Sequence, residues 1–159
     1  MCIRDRFKLI RKTILDLGYS FHYKIVKASD HGLPQLRPRC FMVGFRDEEQ
    51  EQSSFKFPSK TPLAFNMSDV WGGDCTREIG FTLRVGGRGS SITDRRNWDS
   101  YRVDGEIRRL SSIEGRKMMG FPIGFKFPVS ETQAMKQLGN SVAIPAIQAT
   151  AEAMINYGS

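Results

Sequence analysis

GLPQLRPRCFMVGF, residues 32–45, is the stretch from which the fold is read. Gln35, Arg37 and Arg39 are spaced by two, so on an extended chain their side chains share one face while Leu36 and Pro38 take the other. Two guanidiniums and a carboxamide then line one surface, which is also what an ordinary solvated strand face presents. Pro38 lacks a backbone donor and belongs on an edge or beside a site. Residues 35–45 are read as a strand, and Cys40, alternating away from Arg39, as a buried thiol. Upstream, FHYKIVKA (21–28) alternates and ends at the turn SDHGLP (29–34), so the two runs form a hairpin with a long connection. His31 is read as a turn residue.

Working outward, Phe7, Ile10, Ile14 and Leu17 recur at helical spacing and Gly18 stands at the C-cap position, giving a helix over 7–17. It opens without a capping residue, and MCIRDR resembles translated adapter sequence, so the frame is expected to open inside an element. On the other side, the polar stretch Asp47–Gln52 and the loop-like 58–62 suggest a boundary near 57–62. FTLRV (81–85) is read as strand-like, and SYRVDGEIRRL (100–110) as a hairpin turning at Asp104-Gly105. Ser111 with Glu114, and Ser130 with Gln133, are capping boxes that open helices closing at Gly120 and Gly139. A last helix starts at Pro145 with Ile147, Ala151, Met154 and Ile155 inward, ending at Gly158.

The chain has 159 residues, 40% of them apolar and 11% aromatic, which suits a packed domain and excludes a disordered tail. Apolar runs such as CFMVGF are far shorter than the roughly 20 residues of a membrane span. No leader is legible, and no membrane partner is expected. Three cysteines, Cys2, Cys40 and Cys75, with no CxxC pair, argue against a disulfide framework or a metal site and favour a reducing cytoplasm. Lys and Arg outnumber Asp and Glu by 24 to 17, a net charge of +7. Nine of the 15 arginines lie between Arg77 and Arg116, among glycines and the aromatics Phe81, Trp98 and Tyr101. Arginine is the cation matched to phosphate and guanine, so the clustering points to nucleic acid, whereas a basic excess alone serves solubility equally well.

ASDHGLPQLRPRCFMVGFR resembles the Gln-x-Arg-x-Arg motif of the DNA cytosine-5 methyltransferases, following their Gly-[Ile/Leu]-Pro turn. RRLSSIEGRKMMGFP is similar to that family's Arg-x-Leu-[Thr/Ser]-x-x-Glu motif ending in Gly-[Phe/Tyr]-Pro, and TQAMKQLGNSV to its closing Gln-x-Gly-Asn-Ser-Val motif. The order and spacing agree over nearly the whole chain. The stretch between them, with Thr82-Leu83, matches the position of the family's target recognition domain, whose Thr-Leu dipeptide precedes a DNA-contacting loop.

The resemblance implies an α/β fold: the C-terminal part of a Rossmann-like, S-adenosylmethionine-dependent methyltransferase domain, plus a small, irregular, mostly β target recognition domain. Its expected division is 1–58 for the end of the catalytic domain, 59–110 for target recognition and 111–159 for helices returning to the catalytic domain. It also implies a mechanism in which a cytosine is flipped from duplex DNA, a cysteine thiolate attacks C6, and C5 takes the methyl group of S-adenosyl-L-methionine. Arg39 would contact O2 of the base, a fixed cation where negative charge develops. Arg37 and Gln35 would support the pocket and the adjacent phosphate. Asn140, Ser141 and Val142 would meet the cofactor at a sharp Gly139 turn, although Gly-Asn is also a common helix end.

For DNA, the expected contacts are Thr82, Leu83, Arg84, Gly86, Gly87, Arg88, Ser90, Ser91, Arg95 and Arg96, with Arg88 the candidate for guanine O6 and N7. Trp98 is either a wedge between bases or a core residue. Met118 and Met119 are packing residues. His31 departs from the tyrosine usual before the family's glycine.

The family's Phe-x-Gly-x-Gly loop, Pro-Cys nucleophile and Glu-Asn-Val segment are not found, and none of the three cysteines follows a proline. The expectation is therefore a C-terminal portion, inactive alone, of a bacterial or phage cytoplasmic enzyme. It would be completed by the missing half in trans, would otherwise be monomeric, and would expose apolar surface. The alternatives are a noncatalytic DNA-binding module and one subunit of a split methyltransferase.

Overall fold

The computed structural model describes residues 3–46 and 55–157, so Met1, Cys2, the polar stretch 47–52 and Gly158 lie outside the described residues. Helix α1 (Ile3–Asp16) leads into β1 (His22–Lys27), a single helical turn at Ala28–Asp30, and β2 (Pro38–Val43). Helix α2 (Met67–Trp71), the hairpin β3 (Ser100–Val103) and β4 (Glu106–Arg109), and helices α3 (Ser112–Met119), α4 (Glu131–Asn140) and α5 (Ile144–Tyr157) follow. The architecture is α/β with two separate two-stranded antiparallel sheets, β1-β2 and β3-β4. No described helix is long and apolar enough to cross a membrane.

Local chemistry explains most of these limits. Gly18 turns left-handed at φ 78° after α1, and its N–H is answered by the Leu15 carbonyl. Ser111 and Glu114 form the reciprocal capping box of α3, which closes at Gly120 with φ 78°. Ser130 caps α4 by accepting from the Gln133 N–H, which is one half of the expected capping box, without the return bond from the Gln133 side chain. Asp104 and Gly105, both at positive φ, turn the β3-β4 hairpin. One cap lies outside the expected set: Asn66 and Asp69 make a reciprocal box at the start of α2.

Four expectations need correction. FTLRV forms no strand, for a reason given with the site below. Cys40 is exposed, because the face opposite Arg39 is covered only at its edge by α1, where the Phe7 ring meets Tyr23 at 4.7 Å, and Tyr23, Ile25 and Met42 stand exposed beside it. Helix α4 runs through Gly139 to Asn140, with Ser141 as its C-cap. The inward face of α5 is Ala146 and Thr150, while Ile147 and Ile155 are exposed.

Two cores result. The larger joins α2, the β3-β4 hairpin, α3 and α4 through Met67, Leu83, Trp98, Tyr101, Met118 and Leu138. Both Met118 and Met119 are fully buried, as their packing role requires. The smaller core sets Val26, Ala28 and Leu33 against Ala143 and Ala146 around the start of α5.

His31 closes the turn after β1, donating its N–H to the Ala28 carbonyl. Burial holds its imidazole below the ordinary 6.5, with Asp30 opposing and Lys24 adding to the effect. The unfolded chain thus takes up the proton more readily than the folded one. Stability from this residue is complete above 6.5 and is lost as pH falls through 6.5 toward the depressed folded value. Urea midpoints measured across that window should fall with acidification in the native chain and flatten in His31→Gln, and an equal slope in both would assign the loss to other groups.

Candidate functional site

The chain does not stay extended through residues 35–39. Gln35 bridges to Gly80, Arg37 adopts φ 25°, and β2 begins only at Pro38. Positive φ at a non-glycine residue is strained and is held only where surrounding bonds demand it. Here they do. Arg37, 2% exposed, donates from Nη1 to the Leu83 carbonyl at 3.1 Å and from Nη2 to the carbonyls of Gly139 at 2.9 Å and Ser141. Gln35, 0% exposed, donates to the Met118 carbonyl at 3.1 Å and accepts the Leu83 N–H at 3.0 Å.

Leu83 therefore has both backbone groups satisfied by two side chains, which stand in for a neighbouring strand. That is why FTLRV does not join a sheet. Burial, and then the charge of Arg39, push the Arg37 guanidinium down to about 10. The expected common face of Gln35, Arg37 and Arg39 is corrected. The first two are buried and spent on the chain's own backbone, which leaves them no phosphate to hold. Arg39 is exposed, and its Nη1 donates to the Pro38 carbonyl at 2.9 Å.

Gly139 is required for a different purpose from the turn expected of it. A Cβ there would lie 2.7 Å from the Arg84 carbonyl carbon and 2.9 Å from the Val85 nitrogen, so α4 touches the 84–85 backbone directly. Just beyond, Asn140 and Val142 are exposed, and Ser141 Oγ donates to the Leu138 carbonyl at 2.9 Å.

The loop that follows Leu83 carries the remaining candidates. Thr82 is half-buried, and Leu83 is 1% exposed, so Leu83 is a core residue and not a surface contact. Arg84, Gly86, Gly87, Ser91, Arg95 and Arg96 are exposed, and Ser90 is half-buried. Arg96 pairs with Asp94 at 2.8 Å, and its hydrogen bonds hold the Asp94 carboxyl at about 2. Trp98, at 2% exposure, is the core residue of its two expected roles, and its Nε1 donates to the Gly86 carbonyl. Arg88 is exposed as well, but its guanidinium is engaged, donating to the Leu110 carbonyl and lying 3.8 Å from Asp99. Sequence reasoning missed Asp99 and Glu131; the only available signal was an acid just after the arginine-rich loop, at Asp99. Among the described residues no group of His, Cys, Asp and Glu could hold a metal ion.

Two variants measure this framework in urea unfolding. Arg37→Met leaves three carbonyls without their donor, at about 1–3 kcal/mol for each buried acceptor, so a loss of about 3 kcal/mol or more is expected. Gly139→Ala should cost about 1–3 kcal/mol by forcing α4 off the 84–85 backbone. Gly124→Ala, with open space around it, serves as the neutral control. Equal midpoints for Gly139→Ala and Gly124→Ala would remove the claim of direct contact.

The model of the C-5 cytosine-specific DNA methylase family matches residues 4–78 and 74–156. The chain is 33% identical over 182 residues to the Type II methyltransferase M.SsoII of Shigella sonnei, covering 94% of this chain and 48% of that protein. It is 34% identical over 183 residues to M1.ScrFI of Lactococcus lactis subsp. cremoris, covering 94% and 46%. It thus spans about half the length of these curated relatives. Among solved structures, the Entamoeba histolytica methyltransferase EhMeth superposes with a TM-score of 0.67 at 13% identity, covering 96% of this chain and 58% of that one, a likeness of fold. With nearly all its length matched, the chain belongs to the C-5 cytosine-specific DNA methylase family.

Proposed function

We propose that these residues form the target-recognising and pocket-framing part of a DNA (cytosine-5-)-methyltransferase of a cytoplasmic bacterial or phage modification system. Residues 59–110 are its target recognition domain, and 1–58 and 111–159 belong to its catalytic domain. The observation that carries this reading is the convergence of the three motif segments on Gln35 and Arg37. That convergence fixes the β2 entry, the end of α3 at Met118 and the end of α4 relative to one another and to the Leu83 backbone.

On this frame Arg39 is the group beside O2 of a flipped cytosine. It is exposed, and a fixed cation there lowers the barrier as the ring gains charge, without reorganisation. Gln35 and Arg37 are positioning residues. At the end of α4, Asn140 presents an exposed carboxamide, while Arg37 and Leu138 restrain Ser141 on either side. This free donor and acceptor beside a fixed peptide edge fits the amino-acid end of S-adenosyl-L-methionine, with Val142 against its apolar part. The cofactor supplies the methyl group. The nucleophilic thiolate comes from outside these residues, since no cysteine here follows a proline and Cys40 is on the strand face opposite Arg39. It is provided by further chain or by a partner in trans. The exposed cations Arg84 and Arg95 approach double-stranded DNA, with Thr82, Gly86, Gly87, Ser90, Ser91 and Arg96 around them.

Methyl transfer to duplex DNA from S-adenosyl-L-methionine decides the reading. The chain alone should bind duplex and transfer nothing. Joined by co-expression to an amino-terminal half bearing the nucleophile, it should methylate, and Arg39→Ala in that assembly should lower kcat about 10²-fold with DNA affinity nearly unchanged. Methylation by the chain alone overturns the assignment of the nucleophile. DNA binding with no activity in any assembly would favour a noncatalytic recognition module.

A further inference from the structure

The loop of residues 86–91 is held from behind at four backbone groups. Trp98 Nε1 donates to the Gly86 carbonyl at 3.1 Å, and the Gly89 N–H donates to Asp99 Oδ2 at 3.0 Å. Arg109 Nη2 donates to the Gly89 carbonyl at 3.2 Å, and Ser100 Oγ to the Ser90 carbonyl at 3.4 Å. Asp99 is fully buried and its Oδ1 has no hydrogen-bond partner. Among the described residues, Arg88 is the one cation within 4.0 Å of that carboxylate, with Nε 3.8 Å from Oδ2.

The same guanidinium donates to the Leu110 carbonyl at 2.6 Å and lies 3.9 Å from Glu131 Oε1. Glu131 in turn accepts the Ser112 N–H at 2.7 Å and the Ser112 hydroxyl at 2.6 Å, at the first turn of α3. Arg88 therefore links the loop to the β3-β4 frame and to the starts of α3 and α4. All three arginines are exposed, Arg88 along 36% of its side chain, but Arg84 and Arg95 differ in having no hydrogen-bond or ion-pair partner among the described residues. Swinging Arg88 out to a guanine leaves a fully buried carboxylate facing no cation, a larger loss than one bidentate base contact returns. No such restraint holds the other two.

We propose that Arg88 is a positioning residue that fixes the recognition loop through Asp99, and that Arg84 and Arg95 are the cations of this loop that touch DNA. The second half rests on the proposed DNA-binding role, whereas the first is measurable in the free protein. Hydrogen exchange at the Gly89 amide should speed up about tenfold or more in Arg88→Ala, as its Asp99 acceptor loses support, and should hold steady in Arg84→Ala and Arg95→Ala.

In titrations of a mixed-sequence duplex between about 50 and 200 mM salt, Arg84→Ala and Arg95→Ala should each flatten the log-log salt slope by about 0.9. Arg88→Ala should lower affinity several-fold at the native slope, have no further effect in an Asp99→Asn background, and be partly rescued by Arg88→Lys. If Arg88→Ala does not fold, Arg88→Gln takes its place. A slope lowered by about 0.9 in Arg88→Ala, or native Gly89 protection in a folded variant, overturns the positioning role. Absence of salt-dependent binding by the native chain, with Gly89 still responding to Arg88, overturns the DNA reading alone.

Discussion

The carbonyl oxygen of Leu83 and those of Gly139 and Ser141 lie in two segments far apart along the chain, and they meet in space on the guanidinium of Arg37. The planar guanidinium serves the three carbonyls from two separate nitrogens, and lysine, whose three donors share a single nitrogen, cannot reproduce that spread. Removing it from water is costly, and its Nε stays without a partner. The chain nevertheless accepts this cost and a strained backbone at φ 25°. What it obtains in return is a fixed relation between the loop after Leu83, the end of α4 and the strand that carries Arg39. Gly139 shares in the same constraint, since a side chain there would hold α4 away from the loop that Arg37 pulls toward it.

Much of this was legible as elements and little of it as geometry. Caps and turns are local, so Gly18, Ser111 with Glu114, Ser130, Gly120 and Asp104-Gly105 could be read from short windows and lie where expected. The face of Gln35, Arg37 and Arg39 could not. Alternation presumes a continuous strand, and the bonds that break it come from Leu83 and Gly139, dozens of residues away. The same gap explains FTLRV: its residues suit a strand, but its hydrogen bonds go to side chains, which periodicity does not register. Helix α5 was misread by one position because alanines and a threonine, with Thr150 Oγ1 bonded to the Ala146 carbonyl, form the buried stripe in place of its isoleucines.

Those isoleucines belong with a wider pattern. Tyr23, Ile25 and Met42 share the outer face of β1-β2, and Leu9, Leu17, Ile147 and Ile155 are also exposed, whereas the larger core around Trp98 and Tyr101 is closed. The small core behind β1 depends on Ala146 of α5 and on Ala143 just before it, so it contributes far less burial than the aromatic and methionine-rich one. The described residues are thus best packed where the 86–91 loop is supported and most weakly packed at the two-stranded sheet that carries Arg39.

Sorting the arginines by what they already hold then separates three kinds of work that composition merges into one basic cluster. Arg37 is spent on carbonyls, Arg88 on a buried acid, and Arg39, Arg84 and Arg95 keep exposed guanidiniums. Breaking a buried ion pair costs about 3–5 kcal/mol, toward the lower end here because Arg88 is partly exposed, against about 1–3 kcal/mol for a good guanine contact. The comparison favours leaving Arg88 in place, so that in the proposed DNA complex base contacts fall to groups that have no present bonds to give up. On the proposed DNA-binding role, a loop whose backbone is pinned at Gly86, Gly89 and Ser90 loses little entropy on docking, and its free cations then add to affinity instead of first ordering the loop.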